Sequence, residues 1–180
     1  MLVIHIISKE DTNNFSGIYD GLENTTVLIN PKKSECKKAI INEKERIVFI
    51  GHGTAWGLLN QKLTGYIVDS KMVQFLRGKD IIGIWCNASD FGDRYNLTGF
   101  FTSMFISNVD ELVSCGFQMF DDCDEEIKRQ NEIFASRINQ FLIENIPSKE
   151  WAMKLYNSLV NEEKFVYYNY EAMYSIDENI

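Results

Sequence analysis

Apolar and polar positions fall in alternating blocks along this chain. Leu2 to Ile7 is an unbroken apolar run, the pattern of a strand buried on both faces. Thr25 to Ile29 is a second such run, stopped by Asn30-Pro31, and Arg46 to Ile50 is a third, ended by Gly51-His52-Gly53. Between the second and third, Ser34 to Asn42 reads as a helix with Ser34 as its N-cap. Thr54 to Val68 carries glycines and short apolar pieces and predicts a small hairpin. Ser70 to Arg77 reads as a helix with Gly78 at its C-terminal end. Ile81 to Trp85 is a fourth strand, ended by Cys86-Asn87.

A polar loop, NASDFGDRYNLTG, follows, and then Phe100 to Ser107 reads as a fifth strand. Val109 to Cys115 predicts a short helix closed by Gly116. Asp124 to Ile146 carries the clearest helical period, with Ile127, Phe134, Ile138, Phe141 and Leu142 on one face. Trp151 to Val160 predicts another helix, and the aromatic tail KFVYYNYEAMYSI a last strand, more a core or oligomer contact than a ligand platform. This alternation predicts an α/β fold, a mostly parallel central sheet flanked by helices with right-handed crossovers.

The chain has 180 residues and only two prolines, with no linker-like stretch and no internal repeat, so one domain over residues 1–180 is expected. A net charge of −8 argues against nucleic acid as a partner. The N-terminal apolar run is short and lacks a basic leader, and no run approaches the roughly 18 residues of a membrane span. A cytoplasmic protein with no membrane partner is expected, its four cysteines reduced. No CxxC pair exists, which argues against a structural zinc site, and no metal or cofactor is expected.

Chemistry is expected at the carboxyl ends of the strands. The chain has two histidines. His5 lies inside the first strand and reads as a core or face residue. His52 and Cys86 each follow an apolar strand directly. If those strands are neighbours in a parallel sheet, the two ends lie about 5 Å apart. A thiol beside an imidazole is the minimal unit for nucleophilic acyl transfer. The backbone N–H groups of Gly53 and Cys86 are natural oxyanion donors. Strand ends also carry glycine and cysteine for structural reasons, so from spacing alone a dyad and a chance pair stand as alternatives. Cys36 and Cys115 read as packing residues. Cys123 sits among carboxylates that would dull a thiol.

The segments IVFIGHGTAWGLL and LRGKDIIGIWCNAS resemble the core of the caspase-like cysteine peptidases of clan CD: caspases, metacaspases, clostripain-like and separase-type enzymes and the CHAT peptidases. In that group an apolar strand ends in His-Gly and, after a helix, another ends in the nucleophilic Cys. FFTSMFISNVDELVSCGF is similar to the strand and helix that follow the nucleophile. The resemblance covers about residues 1–120, best over 46–90, with helices and the aromatic tail over 124–180 beyond it. It implies a caspase-like three-layer sandwich and a cysteine endopeptidase acting on protein or peptide substrates through His52 and Cys86. The chain departs from the group's Asp-Ser-Cys or Gln-Ala-Cys with Ile84-Trp85-Cys86, and Asn87-Ala88-Ser89 is not the common small-glycine turn.

Members of the group select their substrate side chain by charges beside the dyad. Asp90 and Asp93 are the candidates for a basic side chain and Arg94 for an acidic one, with a solvated surface loop as the plainer reading. Some relatives bind calcium. Here the acidic group Asp121, Asp122, Asp124, Glu125 and Glu126 lacks EF-hand spacing and reads as a helix start favoured by the dipole. Two alternatives stand beside the peptidase: a catalytically inactive interaction module on the same fold, and a flavodoxin-like domain for a small ligand. Neither a GxGxxG nor a P-loop pattern supports the last.

Overall fold

The computed structural model describes residues 1–8 and 15–177. In chain order its elements are β1 (Leu2–His5), β2 (Thr26–Ile29), α1 (Lys33–Asn42), β3 (Arg46–Ile50), β4 (Gly53–Thr54), β5 (Gly57–Leu59), β6 (Tyr66–Val68), α2 (Val73–Leu76), β7 (Asp80–Ile84), α3 (Ala88–Arg94), β8 (Gly99–Thr102), α4 (Val109–Ser114), α5 (Cys123–Ile143), α6 (Trp151–Tyr156), α7 (Lys164–Glu171) and β9 (Met173–Ile176). The fold is α/β. A six-stranded sheet runs in the order β2-β1-β3-β7-β8-β9, and β4-β5-β6 form a small separate sheet. The first five strands of the large sheet are parallel, and β9 closes the β8 edge antiparallel.

The central strands are apolar on both faces because both faces are covered. Val3, Val48, Ile82 and Phe100 point to one side, into a core shared with Phe134 and Ile138 of α5, Trp151 of α6 and Phe165 of α7. Ile4, Phe49, Ile81 and Phe101 point to the other, against Cys36 and Ile40 of α1, Leu76 of α2 and Phe91 of α3. Helices therefore flank the sheet on both sides, as a three-layer sandwich requires.

Several expectations need correction, among them Ser34 as N-cap, since α1 starts at Lys33 with Lys32 in the cap position. The polar loop after Cys86 contains α3, whose buried face is Ala88, Phe91 and Gly92. The fifth strand ends at Thr102 rather than Ser107. Beyond it the side chain of Asn169 from α7 clasps the backbone of Ile106, accepting from its N–H at 2.7 Å and donating to its carbonyl at 2.9 Å. That clasp draws the segment off the sheet edge and folds it over the carboxyl ends of the strands. The aromatic tail is a helix followed by a short strand, because Phe165, Val166, Asn169 and Tyr170 are buried at helical spacing. The alternating pattern of a strand starts only at Met173. Trp151 and Leu155 are buried as expected, but that helix stops at Tyr156.

Candidate functional site

β3 and β7 are neighbours and parallel, with Ile50 in register with Ile84. The N–H of Gly51 donates to the Ile84 carbonyl at 3.1 Å and carries the ladder one step beyond the strands. His52 and Cys86 each follow that register pair by two residues. Side chains alternate with a period of two, so both leave on the face that carries Ile50 and Ile84. Both line one cavity of about 40 Å³, room for about three or four waters by the ~10–15 Å³ each needs. Its apolar wall includes Phe15, Ile50, Ile84 and Phe105, and its polar groups include His5, Thr102, Ser107 and Glu111.

Trp85 holds the two turns together. Its ring is buried, and its Nε1–H donates to the carbonyl of Thr54 at 3.2 Å. Phe49 and Phe91 meet it edge to face, at centroid distances of 6.3 and 5.8 Å. A Cβ on Gly53 would sit 2.0 Å from Trp85 Cδ1, so the glycine after His52 is required by the tryptophan before Cys86. The departure from Asp-Ser-Cys thus has a structural role here. Asn87 takes up the turn into α3 in the left-handed region, φ 63°. Asparagine adopts that conformation more readily than most residues, so no glycine is needed.

Burial is the main influence on the Cys86 thiol and the nearby Glu111 carboxylate adds to it, together pushing it up to about 11. The Phe105 N–H and the N–H of Cys86 itself partly offset this by donating toward the sulfur. At neutral pH Cys86 is therefore a thiol. Its amide was expected as an oxyanion donor, and the Phe105 amide is a further candidate that local sequence did not mark. The Nε2 atom of His52 is shielded from solvent.

His5 is buried in β1, as expected of a core residue, with Nδ1 3.0 Å from the Tyr19 hydroxyl. It also lines the cavity, because its register partner is Ile50. Both imidazoles of the chain thus reach one site. Asp90, Asp93 and Arg94 lie exposed on α3 and are not among the cavity-lining residues. The Arg94 guanidinium instead stacks on the exposed Trp56 ring, 3.8 Å from its centroid. The carboxylate that does line the cavity is Glu111, which sequence reasoning did not single out. The local signal was Asn108-x-x-Glu111, a capping spacing: Asn108 Oδ1 accepts from the Glu111 N–H at 2.9 Å. The Glu111 side chain reaches back one residue further, to Ser107.

Of the other expected positions, Cys36 is buried against the sheet, its thiol pushed up to about 12 by burial. Cys123 is buried at the start of α5. Asp124, Glu125 and Glu126 occupy the first turn of α5, where the helix dipole favours them, and Lys128 and Arg129 pair with Asp124 and Glu126. Asp121, Asp122, Glu125 and Glu126 border a surface cleft with Glu162 and Glu163, remote from Cys86 in the sequence. Among the described residues, no helix is long and apolar enough to cross a membrane. No known family model matches this chain, and no curated protein matches it.

Proposed function

We propose that this chain is a caspase-like cysteine endopeptidase, with Cys86 as nucleophile and His52 as general acid and base. The observation that carries this reading is the placement of His52 and Cys86 one equal step beyond the register pair Ile50 and Ile84, on one cavity wall. Because the thiol is protonated at rest, the reaction runs by proton transfer during attack rather than from a standing ion pair. The Cys86 sulfur adds to the scissile carbonyl as its proton passes to the imidazole of His52. The oxyanion is met by backbone N–H groups, with Gly53, Cys86 and Phe105 as the candidates. Collapse expels the amine, which takes the proton from His52 and leaves a thioester on Cys86. Water, deprotonated by His52, then releases the acid and restores the thiol.

A second reading, an inactive interaction module on the same fold, is favoured by the raised thiol and by a small cavity of about 40 Å³. One experiment separates the two. A mixed peptide library is incubated with the protein, and products are read by mass alongside labelling of Cys86 by a peptidyl acyloxymethyl ketone. The peptidase gives cleavage that Cys86→Ala abolishes and labelling that His52→Ala slows by about 10²-fold or more. No cleavage by the wild type, with labelling unaffected by His52→Ala, overturns it in favour of the module.

A further inference from the structure

Glu111 lines the cavity with His5 and His52 and with no lysine or arginine. Its Oε2 accepts from the Ser107 N–H at 2.7 Å and from the Ser107 hydroxyl at 2.9 Å. Among the described residues, no lysine or arginine pairs with it, and none lines the cavity. Glu111 is half-buried, and its neighbours there include the apolar side chains Phe15, Phe105, Ile50 and Ile84. Such a group is complemented by a cation brought from outside. The Ser107 contacts fix one carboxylate oxygen and leave Oε1 for that cation.

We infer that Glu111 is the receptor for an alkylammonium or guanidinium group of the substrate, and that docking of this cation readies Cys86 for attack. The second half rests on the reading of Cys86 as nucleophile. The receptor does not.

The coupling follows from the sign of the charges. The titratable groups around the sulfur are His52 and His5 along the sheet edge, Glu111 and Cys115 from α4 and its end, and Tyr168 from α7. Glu111 opposes formation of a thiolate beside it. A cation seated on Glu111 cancels that opposition while a substrate is bound, and only then. A basic side chain on the substrate would thus be selected twice, once by its ion pair and once by the reactivity it induces. Asp90 and Asp93, outside the cavity, have no part in this selection.

The test uses the full chain and a neutral alkylating agent, iodoacetamide, with Cys86 modification read by peptide mass. n-Butylammonium or ethylguanidinium is titrated in against sodium chloride at matched ionic strength. The wild type is expected to show a saturable acceleration of about three- to tenfold, tenfold corresponding to one unit of thiol pKa. Glu111→Gln keeps acceptor oxygen for Ser107. It is expected to label faster than the wild type without cation and to show no further acceleration. A flat titration of the wild type, an equal effect of sodium, or an equal effect in Glu111→Gln overturns the receptor. The wild-type titration needs no variant, so misfolding of Glu111→Gln does not obscure the result. Acyloxymethyl ketones bearing Lys, Leu or Asp complete the set, with Lys expected to react fastest in the wild type only. Cation acceleration without any peptide cleavage would leave the receptor standing and remove the peptidase. Cleavage with no basic preference and no cation effect would do the reverse.

Discussion

Ile50 and Ile84 are register partners in adjacent parallel strands, and His5 is the partner of Ile50 on its other side. Parallel strands keep their side-chain alternation in phase, so the three residues point to one face. Both histidines and one cysteine of a histidine-poor chain are thereby gathered above one edge of the sheet. Strand order and phase set the floor of the cavity, and Phe105, Ser107 and Glu111 beyond β8 complete it.

Gly53→Ala is expected to lower stability and disturb the site together. The added Cβ would meet Trp85 Cδ1 at 2.0 Å and the Gly57 carbonyl at 2.8 Å. One contact is a buried ring and the other is backbone, so neither yields cheaply. Overpacking of this kind costs about 1–3 kcal/mol or more. Urea unfolding followed by tryptophan fluorescence should show an earlier midpoint, and Cys86 labelling should change because Trp85 precedes it directly. An unchanged midpoint would mean that Trp85 does not tie the two turns together.

Asn169→Ala should destabilise by about 2–4 kcal/mol, since it strips partners from a buried N–H and a buried carbonyl of Ile106 at once. The segment it holds carries Phe105, whose N–H faces the Cys86 sulfur, so the labelling rate of Cys86 should shift as well. Thermal melts and labelling kinetics on the same samples check both halves. A loss of stability with unaltered labelling would separate the clasp from the site.

Much of this was legible in the chain. Unbroken apolar runs before His52 and Cys86 marked two buried parallel strands, and the glycines at Gly51 and Gly53 marked the sharp turn that ends the first of them. The unread parts depend on contacts distant in sequence. Glu111 enters the cavity because the segment after β8 folds back, and that fold rests on Asn169, 63 residues beyond Ile106. α3 lay hidden because Asp and Gly are weak helix formers, and its buried Phe91 shows only once the ring of Trp85 is in place. The aromatic residues of α7 suit strands by propensity, yet packing against α5 decided otherwise.

Alkaline pH should weaken the fold through two thiols. Burial pushes Cys36 up to about 12, and burial with Glu111 pushes Cys86 up to about 11. In the unfolded chain a thiol ionises near ~8.5. Above that value the unfolded state has released protons that the folded state still holds, so stability falls as pH rises. The loss begins near pH 8.5 and ends once pH passes the folded values, about 11 for Cys86 and about 12 for Cys36. Its slope is at most about 1.4 kcal/mol per pH unit for each thiol. Urea midpoints between pH 7 and 10 should decline more steeply in the wild type than in Cys36→Ala/Cys86→Ala. Equal slopes would show that neither thiol is shielded in solution.

Tyr19→Phe isolates the part His5 plays. The Tyr19 hydroxyl meets His5 Nδ1 at 3.0 Å, and the two rings lie edge to face at 76°. The substitution keeps the ring packing and removes only the hydroxyl. A net hydrogen bond is worth about 0.5–1.5 kcal/mol. Stability should fall within that span, measured by urea denaturation. Cys86 alkylation should stay within about twofold of the wild type from pH 6 to 9, because the thiol answers to burial and to Glu111 before any effect of His5. A change in the pH profile near ~6.5, the ordinary histidine range, would instead make His5 a titrating member of the site. Its burial at the end of β1 would then serve the chemistry above the sheet as well as the core beneath it.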